Sequence, residues 1–132
     1  MISNIKMVIV IRKDLNMRRG KSEAMSAHAA MKVFFDRAIK EGIGEVTHMI
    51  IPLTSEMDLW SSGIFTKISL SCESEEELVE LHNRAKVVGL PCSMIVDNGA
   101  TEFHGIPTRT CIAIGPAKAE DIDKITGYLT LR

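Results

Sequence analysis

The chain has 132 residues, 45% of them apolar and 25% charged, with a formal net charge of −1. That is enough for one well-cored domain over residues 1–132 and too little for two, and the near-neutral balance excludes a surface that is basic all over, so any nucleic-acid face has to be a local patch. No apolar run approaches membrane-spanning length, Met1 to Arg12 is too interrupted for a signal peptide, and Cys72, Cys92 and Cys111 form no C-x-x-C, so they read as reduced, buried small hydrophobes of a cytoplasmic protein.

Ile5 to Ile11 (IKMVIVI) is nearly continuous in apolar residues and reads as a strand covered on both faces. Arg12 to Gly20 is the loop at its C-terminal end, where open α/β sheets place their ligands. With Lys21 this loop holds the densest basic cluster: Arg12, Lys13, Arg18, Arg19 and Lys21, opposed only by Asp14. Gly20 frees the backbone at the turn, and the cations sit where a helix's free N–H groups point, a recipe for holding an anion. The first helix runs from Lys21 to about Lys40, with Ala24, Ala27, Met31, Phe34 and Ala38 recurring at three- and four-residue steps, and Gly42 and Gly44 end it. Lys21, Met25 and His28 share one of its faces. Glu45 to Gly63 is the least legible segment, broken by Pro52 and Ser61-Ser62, with a short helix around Ser55 to Trp60. Trp60 is expected to pack rather than to bind.

Phe65 to Cys72 alternates between apolar and polar positions, as a half-exposed strand at a sheet edge does. Ser74 and Glu77 form a capping box that opens a second helix through Leu78, Leu81, Ala85 and Val88, stopped by Gly89 and Pro91. The acids from Glu73 to Glu80 read as a solvated face that stabilises its first turn. Cys92 to Val96 is a third strand, ending in the turn signature Asp97-Asn98-Gly99. Thr101 to Thr110 is a loop, Cys111 to Ile114 a fourth buried strand closing at Gly115-Pro116, and Ala117 to Ile125 a short helix ending near Gly127. This order implies an α/β fold with a mixed four-stranded sheet between helical layers. The third and fourth strands are joined by a loop too short for a helical crossover, so they are expected to be antiparallel or distantly placed.

If the first and third strands run parallel, the loops Arg12–Gly20 and Asp97–Thr110 open on the same sheet edge, and Lys21, His28, Asp97 and Thr101 converge. A carboxylate at a strand end orients or deprotonates a water, a lysine holds a phosphate or a developing oxyanion, and a threonine hydroxyl supplies a positioned hydrogen bond. That inventory fits hydrolysis of an ester in a phosphate-rich substrate without a metal. The four histidines, His28, His48, His82 and His104, lack metal-ligand spacing, and no Ser/His/Asp or Cys/His order stands out. The residues themselves leave two readings open, an anion-binding hydrolase and a binding module.

KMVIVIRKDLNMRRGKSEAMSAHAA (Lys6 to Ala30), SMIVDNGATE (Ser93 to Glu102), TRTCIAIGPA (Thr108 to Ala117) and IDKITGYLTL (Ile122 to Leu131) closely resemble, in this order, the archaeal/eukaryotic-type peptidyl-tRNA hydrolase family. The resemblance implies a three-layer α/β/α fold with a mixed four-stranded sheet whose last strand is antiparallel, a homodimer, and hydrolysis of the ester between a peptide and the 3′ end of tRNA, with no cofactor. It makes Lys21 the functional lysine after the glycine, Asp97 the catalytic aspartate, Thr101 the threonine four residues on, Thr110 a second functional threonine and His28 the histidine of AHAA. Arg18 and Arg19 would meet tRNA phosphates, with Gly20 and Glu102 on the substrate side. The chain departs from the family pattern at Arg18 and Arg19, usually glycine and lysine; at Met25, usually glutamine; at Ala100, usually basic; and at Glu102, usually glutamine. Its Thr101–Thr108 loop is one residue longer than usual, and Glu41 to Gly63 has no clear counterpart.

Overall fold

The computed structural model describes residues 4–100 and 102–132. In chain order it contains β1 (Ile5–Arg12), α1 (Arg19–Phe35), β2 (Ile39–Ile43), β3 (Val46–Ile50), α2 (Ser55–Ser62), β4 (Lys67–Cys72), α3 (Glu75–Val87), β5 (Cys92–Asp97), a turn of 3-10 helix at Phe103–Gly105, β6 (Thr108–Lys118), α4 (Ala119–Thr126) and β7 (Thr130–Leu131). Five strands form one mixed sheet in the order β5-β6-β1-β4-β7, and β2 and β3 form a separate ribbon.

The apolar run of β1 explains its central place. Side chains alternate across a strand, so a strand apolar at every position must be covered on both faces. Met7, Ile9 and Ile11 enter a core with Met25, Ala29 and Val33 of α1 and Met57 of α2. Val8 and Val10 enter the opposite core with Leu78, Leu81 and Ala85 of α3 and Ile122 and Ile125 of α4. Each valine, leucine, isoleucine or methionine among these, buried fully, contributes about 1.5–3 kcal/mol. Small residues let α1 approach the sheet closely: Ser93 of β5 donates to the Ala29 carbonyl at 2.7 Å, and the Cys111 thiol lies 3.2 Å from the Met25 carbonyl oxygen.

β1 pairs parallel with β4 and antiparallel with β6, and β5 is antiparallel to β6. β5 therefore runs parallel to β1, and the loops that follow these two strands open on one edge of the sheet. The N-terminus of α3 is brought to the same edge by β4. There Glu75 takes Arg109 at 2.8 Å, and the buried guanidinium of Arg12 holds Asp14 at 2.7 Å. The capping box forms as expected, Ser74 Oγ accepting from the Glu77 N–H at 3.1 Å, although the Glu77 carboxylate reaches the N–H of Glu73 rather than that of the capping serine.

Several sequence expectations are corrected. The sheet has five strands rather than four, because Thr130 and Leu131 add a two-residue strand beyond β4, which is therefore not the edge. The strand expected at Cys111–Ile114 begins at Thr108 and continues through Gly115-Pro116 to Lys118. Gly115 makes this possible: its φ is +104°, and a Cβ there would lie 2.6 Å from the Lys6 carbonyl oxygen. The first helix starts at Arg19 and stops at Phe35, not near Lys40, and its buried positions are Ser22, Met25, Ala29 and Val33, while Ala24, Ala27 and Met31 face outward. Gly20 lies inside that helix rather than at a turn, with open space where a side chain would stand. Trp60 packs as expected, stacked on Phe34 with its indole N–H donating to the Thr66 carbonyl at 2.9 Å. The three cysteines are free; Cys72 and Cys111 are buried and Cys92 is half-buried.

Candidate active site

Asp97 ends β5, and Lys21 stands in the first turn of α1. Their side chains meet: Lys21 Nζ donates to Asp97 Oδ1 at 2.7 Å, with only 13% and 9% of the two side chains exposed. The second carboxylate oxygen, Oδ2, accepts the N–H of Gly99 at 2.9 Å. The Lys21 hydrogen bond holds the Asp97 carboxyl below the usual carboxylate range; the Gly99 N–H and the positive charges of Lys21 and His28 add to this, against a smaller opposing effect of burial. Asp97 is thus an anion at neutral pH with both oxygens engaged and fixed in direction.

The turn after Asp97 requires Gly99. Its φ is +83°, and a Cβ there would lie 2.5 Å from the Ile106 amide nitrogen. The far end of the loop closes on the same residue, Gly105 donating its N–H to the Gly99 carbonyl at 2.9 Å. Between these points Phe103 and His104 both adopt left-handed backbone, with φ of +64° and +53°. Such strain costs about 1–3 kcal/mol per residue and persists where surrounding contacts over-determine it. Its result is the placement of the Phe103 ring, half-buried against the α1-side core, with its centroid 5.9 Å from Lys21 Nζ. One aromatic face thereby borders the ion pair and keeps water from part of it.

The remaining expected residues are distributed as follows. Arg18, the N-cap of α1, is almost fully exposed, with its guanidinium 4.0 Å from the Glu102 carboxylate. Arg19 and Gly20 are exposed beside it, so the positive end of α1 opens to solvent at the sheet rim. His28 is exposed and makes no hydrogen bond or ion pair among the described residues; its link to the site is electrostatic, through Asp97. Thr110 lies in β6 rather than in a loop, fully buried, with its hydroxyl on the Ile95 carbonyl at 3.4 Å. The threonine directly opposite Asp97 across the β5–β6 pair is Thr108, which the sequence reading did not single out. Phe103 was missed as well; the available signal was a lone aromatic in a Gly/Pro-bearing loop between two motif residues. Thr101 lies outside the described residues. A concavity of about 950 Å³ runs along α3 and α4, and neither Lys21 nor Asp97 lines it. Among the described residues no group of three His, Cys, Asp or Glu side chains is placed to hold a metal, and no helix is long and apolar enough to cross a membrane.

Comparison with known proteins bears directly on this geometry. A peptidyl-tRNA hydrolase from Methanocaldococcus jannaschii is 40% identical over 127 residues, covering 96% of this chain and 99% of that one. One from Methanopyrus kandleri is also 40% identical, covering 96% and 97%. A mitochondrial peptidyl-tRNA hydrolase 2 from Bos taurus is 36% identical over 96% of this chain and 63% of its own length. Among solved structures, a protein of unknown function from Agrobacterium aligns over 100% of this chain and 99% of its own with a TM-score of 0.61 at 14% identity, a likeness of fold alone. The family model described as peptidyl-tRNA hydrolase PTH2 matches residues 5–132. The strand-loop-helix that carries Lys21 and the strand-turn that carries Asp97 both lie inside that match, and the chain belongs to the PTH2 peptidyl-tRNA hydrolase family.

Proposed function

We propose that this chain hydrolyses the ester joining a peptide to the 3′ end of tRNA, as a homodimer in the cytoplasm. The observation that carries the reading is the Lys21–Asp97 contact at 2.7 Å, set on a sheet rim beside the exposed basic start of α1. A shielded carboxylate is the acceptor a nucleophilic water needs, and an ammonium beside it is the donor a developing oxyanion needs. Because its pKa is depressed, Asp97 acts chiefly by orienting the water and by receiving its proton as the bond to the carbonyl carbon forms. Lys21 stabilises the negative charge on the former carbonyl oxygen. Collapse of the tetrahedral intermediate breaks the bond to the ribose oxygen, which takes up the proton held by Asp97 and leaves as the free hydroxyl of tRNA, while the peptide acid loses its proton to solvent and leaves as its carboxylate. Arg18 and Arg19 hold backbone phosphates, Thr108 and Thr110 fix the strand ends beside Asp97, and Thr101 and His28 keep the site roles that their motif positions imply.

The test is single-turnover release of peptide from a model peptidyl-tRNA. Asp97→Asn should lower the rate about 10²–10⁴-fold, the range for a positioned acid–base group. Lys21→Ala should lower it about 10²–10³-fold, the range for one oxyanion donor. A folded wild-type chain that releases no peptide overturns the reading; full turnover in Asp97→Asn overturns the assignment of the site.

A further inference from the structure

The ribbon of β2 and β3 stands apart from the main sheet, and every residue of both strands is exposed. Its register places Ile39 opposite Ile50, Glu41 opposite His48 and Ile43 opposite Val46, with Lys40–Met49 and Gly42–Thr47 alternating between them. Directly opposite residues share a face. One face therefore carries Ile39, Ile50, Ile43 and Val46, two aliphatic pairs on either side of one acid and one imidazole. The other face carries Lys40, Met49, Gly42 and Thr47. A lone two-stranded ribbon is marginal in water, and a solvent-facing row of branched aliphatics rimmed by polar groups marks an interaction surface.

The charges select the occupant. Lys40 is outnumbered by Glu41 and Glu45, so the ribbon offers no positive field to a phosphate backbone, and RNA is not its partner. The face is instead complementary to itself. Laid on a second copy about a two-fold axis along the ribbon, β2 covers β3 of the other chain: Ile39 meets Ile50, Ile43 meets Val46, and Glu41 meets His48, each contact occurring twice, as a self-complementary interface requires. A two-fold axis across the ribbon would set Glu41 on Glu41 and His48 on His48.

We propose that two copies of this chain associate through the Ile39–Ile50, Glu41–His48 and Ile43–Val46 face of the β2–β3 ribbon, about an axis running along it. The proposal rests on the homodimer reading above and names its surface. It is tested by sedimentation velocity of the full chain over about 1–100 µM, the range of weak to moderate association, with circular dichroism as the check of folding. The wild type should dimerise, and Ile43→Asp with Val46→Asp should be monomeric throughout. Glu41→Lys and His48→Asp should each weaken self-association about tenfold or more, the first by setting an ammonium instead of a carboxylate against the imidazole, the second by setting two carboxylates against each other. An equimolar mixture of these two variants should dimerise again, because the introduced lysine of one then faces the introduced aspartate of the other, while the native His48 and Glu41 still meet. A wild type monomeric at every concentration overturns the surface and the homodimer reading together. A dimer unchanged by Ile43→Asp/Val46→Asp overturns the surface alone. Weakening in both charge variants without rescue on mixing overturns the axis.

Discussion

At the scale of single residues, the site is a competition between partial burial and direct pairing at Asp97. Burial raises a carboxyl's pKa; the Lys21 hydrogen bond lowers it more. A group whose folded pKa lies below its unfolded value stabilises the fold above the unfolded value, and that stability disappears as pH falls through the folded one. The unfolded reference for aspartate is about 3.9, so the contribution of Asp97 should hold from neutral pH down to about 4 and vanish below. The stability gap between wild type and Asp97→Asn, measured by urea unfolding at a series of pH values, should therefore close only at the acid end. The acid limb of kcat/KM due to Asp97 should likewise lie below the ordinary carboxylate range. Lys21 and Asp97 were both legible in the sequence, because a lysine opening a helix and an aspartate closing a strand are local patterns. Their convergence was expected on the condition that β1 and β5 run parallel, and β6, antiparallel to both, meets that condition. Phe103 was illegible: no pattern announces a bulky residue in left-handed backbone.

At the scale of elements, the loop after β5 shows how a short segment is tied down from both ends. Gly99 approaches Ile106 closely enough that a methyl group there must displace backbone rather than a flexible side chain, and its φ is unfavourable to any other residue. Gly99→Ala should cost about 3 kcal/mol, from left-handed strain together with overpacking. It should also depress peptide release in protein that remains folded, since the Gly99 N–H holds one oxygen of Asp97. Urea unfolding and the release assay, run on the same preparation, check both. The clearest misreading also belongs to this scale. Ala38 continues the helical period of α1, and Gly42 and Gly44 look like stop signals, so a helix to about Lys40 was the natural expectation. The competing signal was Ile39, Ile43, Val46, Thr47 and Ile50 about the two-residue loop Gly44-Glu45. Gly44 has a φ of +63° and serves a hairpin turn instead of ending a helix. β-branched alternation on both sides of a glycine-led pair outweighs one more residue of helical spacing.

At the scale of the whole molecule, a net charge of −1 conceals a strongly uneven distribution. The cations at the sheet rim divide into two kinds. Arg12 is buried and spent on Asp14 and the Arg109 carbonyl, whereas Arg18 and Arg19 are exposed at the positive end of α1. Only the second kind is available to phosphates. Replacing Arg18 and Arg19 together by alanine should weaken tRNA binding for all sequences alike and reduce the salt slope by about 2, one for each phosphate no longer neutralised. Filter binding or fluorescence anisotropy across a salt series measures this; an unchanged slope would place the tRNA elsewhere. The layered architecture was legible because the two-sided apolar run of β1 and the stripes of α3 and α4 are long and periodic. The fifth strand was not, because two residues carry no period.

The strand order also means that the two halves of the site are joined by a strand that comes after both in the chain. Among the described residues β5, which carries Asp97, has a hydrogen-bonded neighbour only in β6, and β6 lies later in the chain. A nascent chain that has emerged only as far as Asp97 holds that residue on a strand with nothing to pair with, 76 positions from its lysine. Until β6 inserts beside β1, the growing polypeptide, itself esterified to tRNA, has no assembled site with which to cut its own tether or a neighbour's.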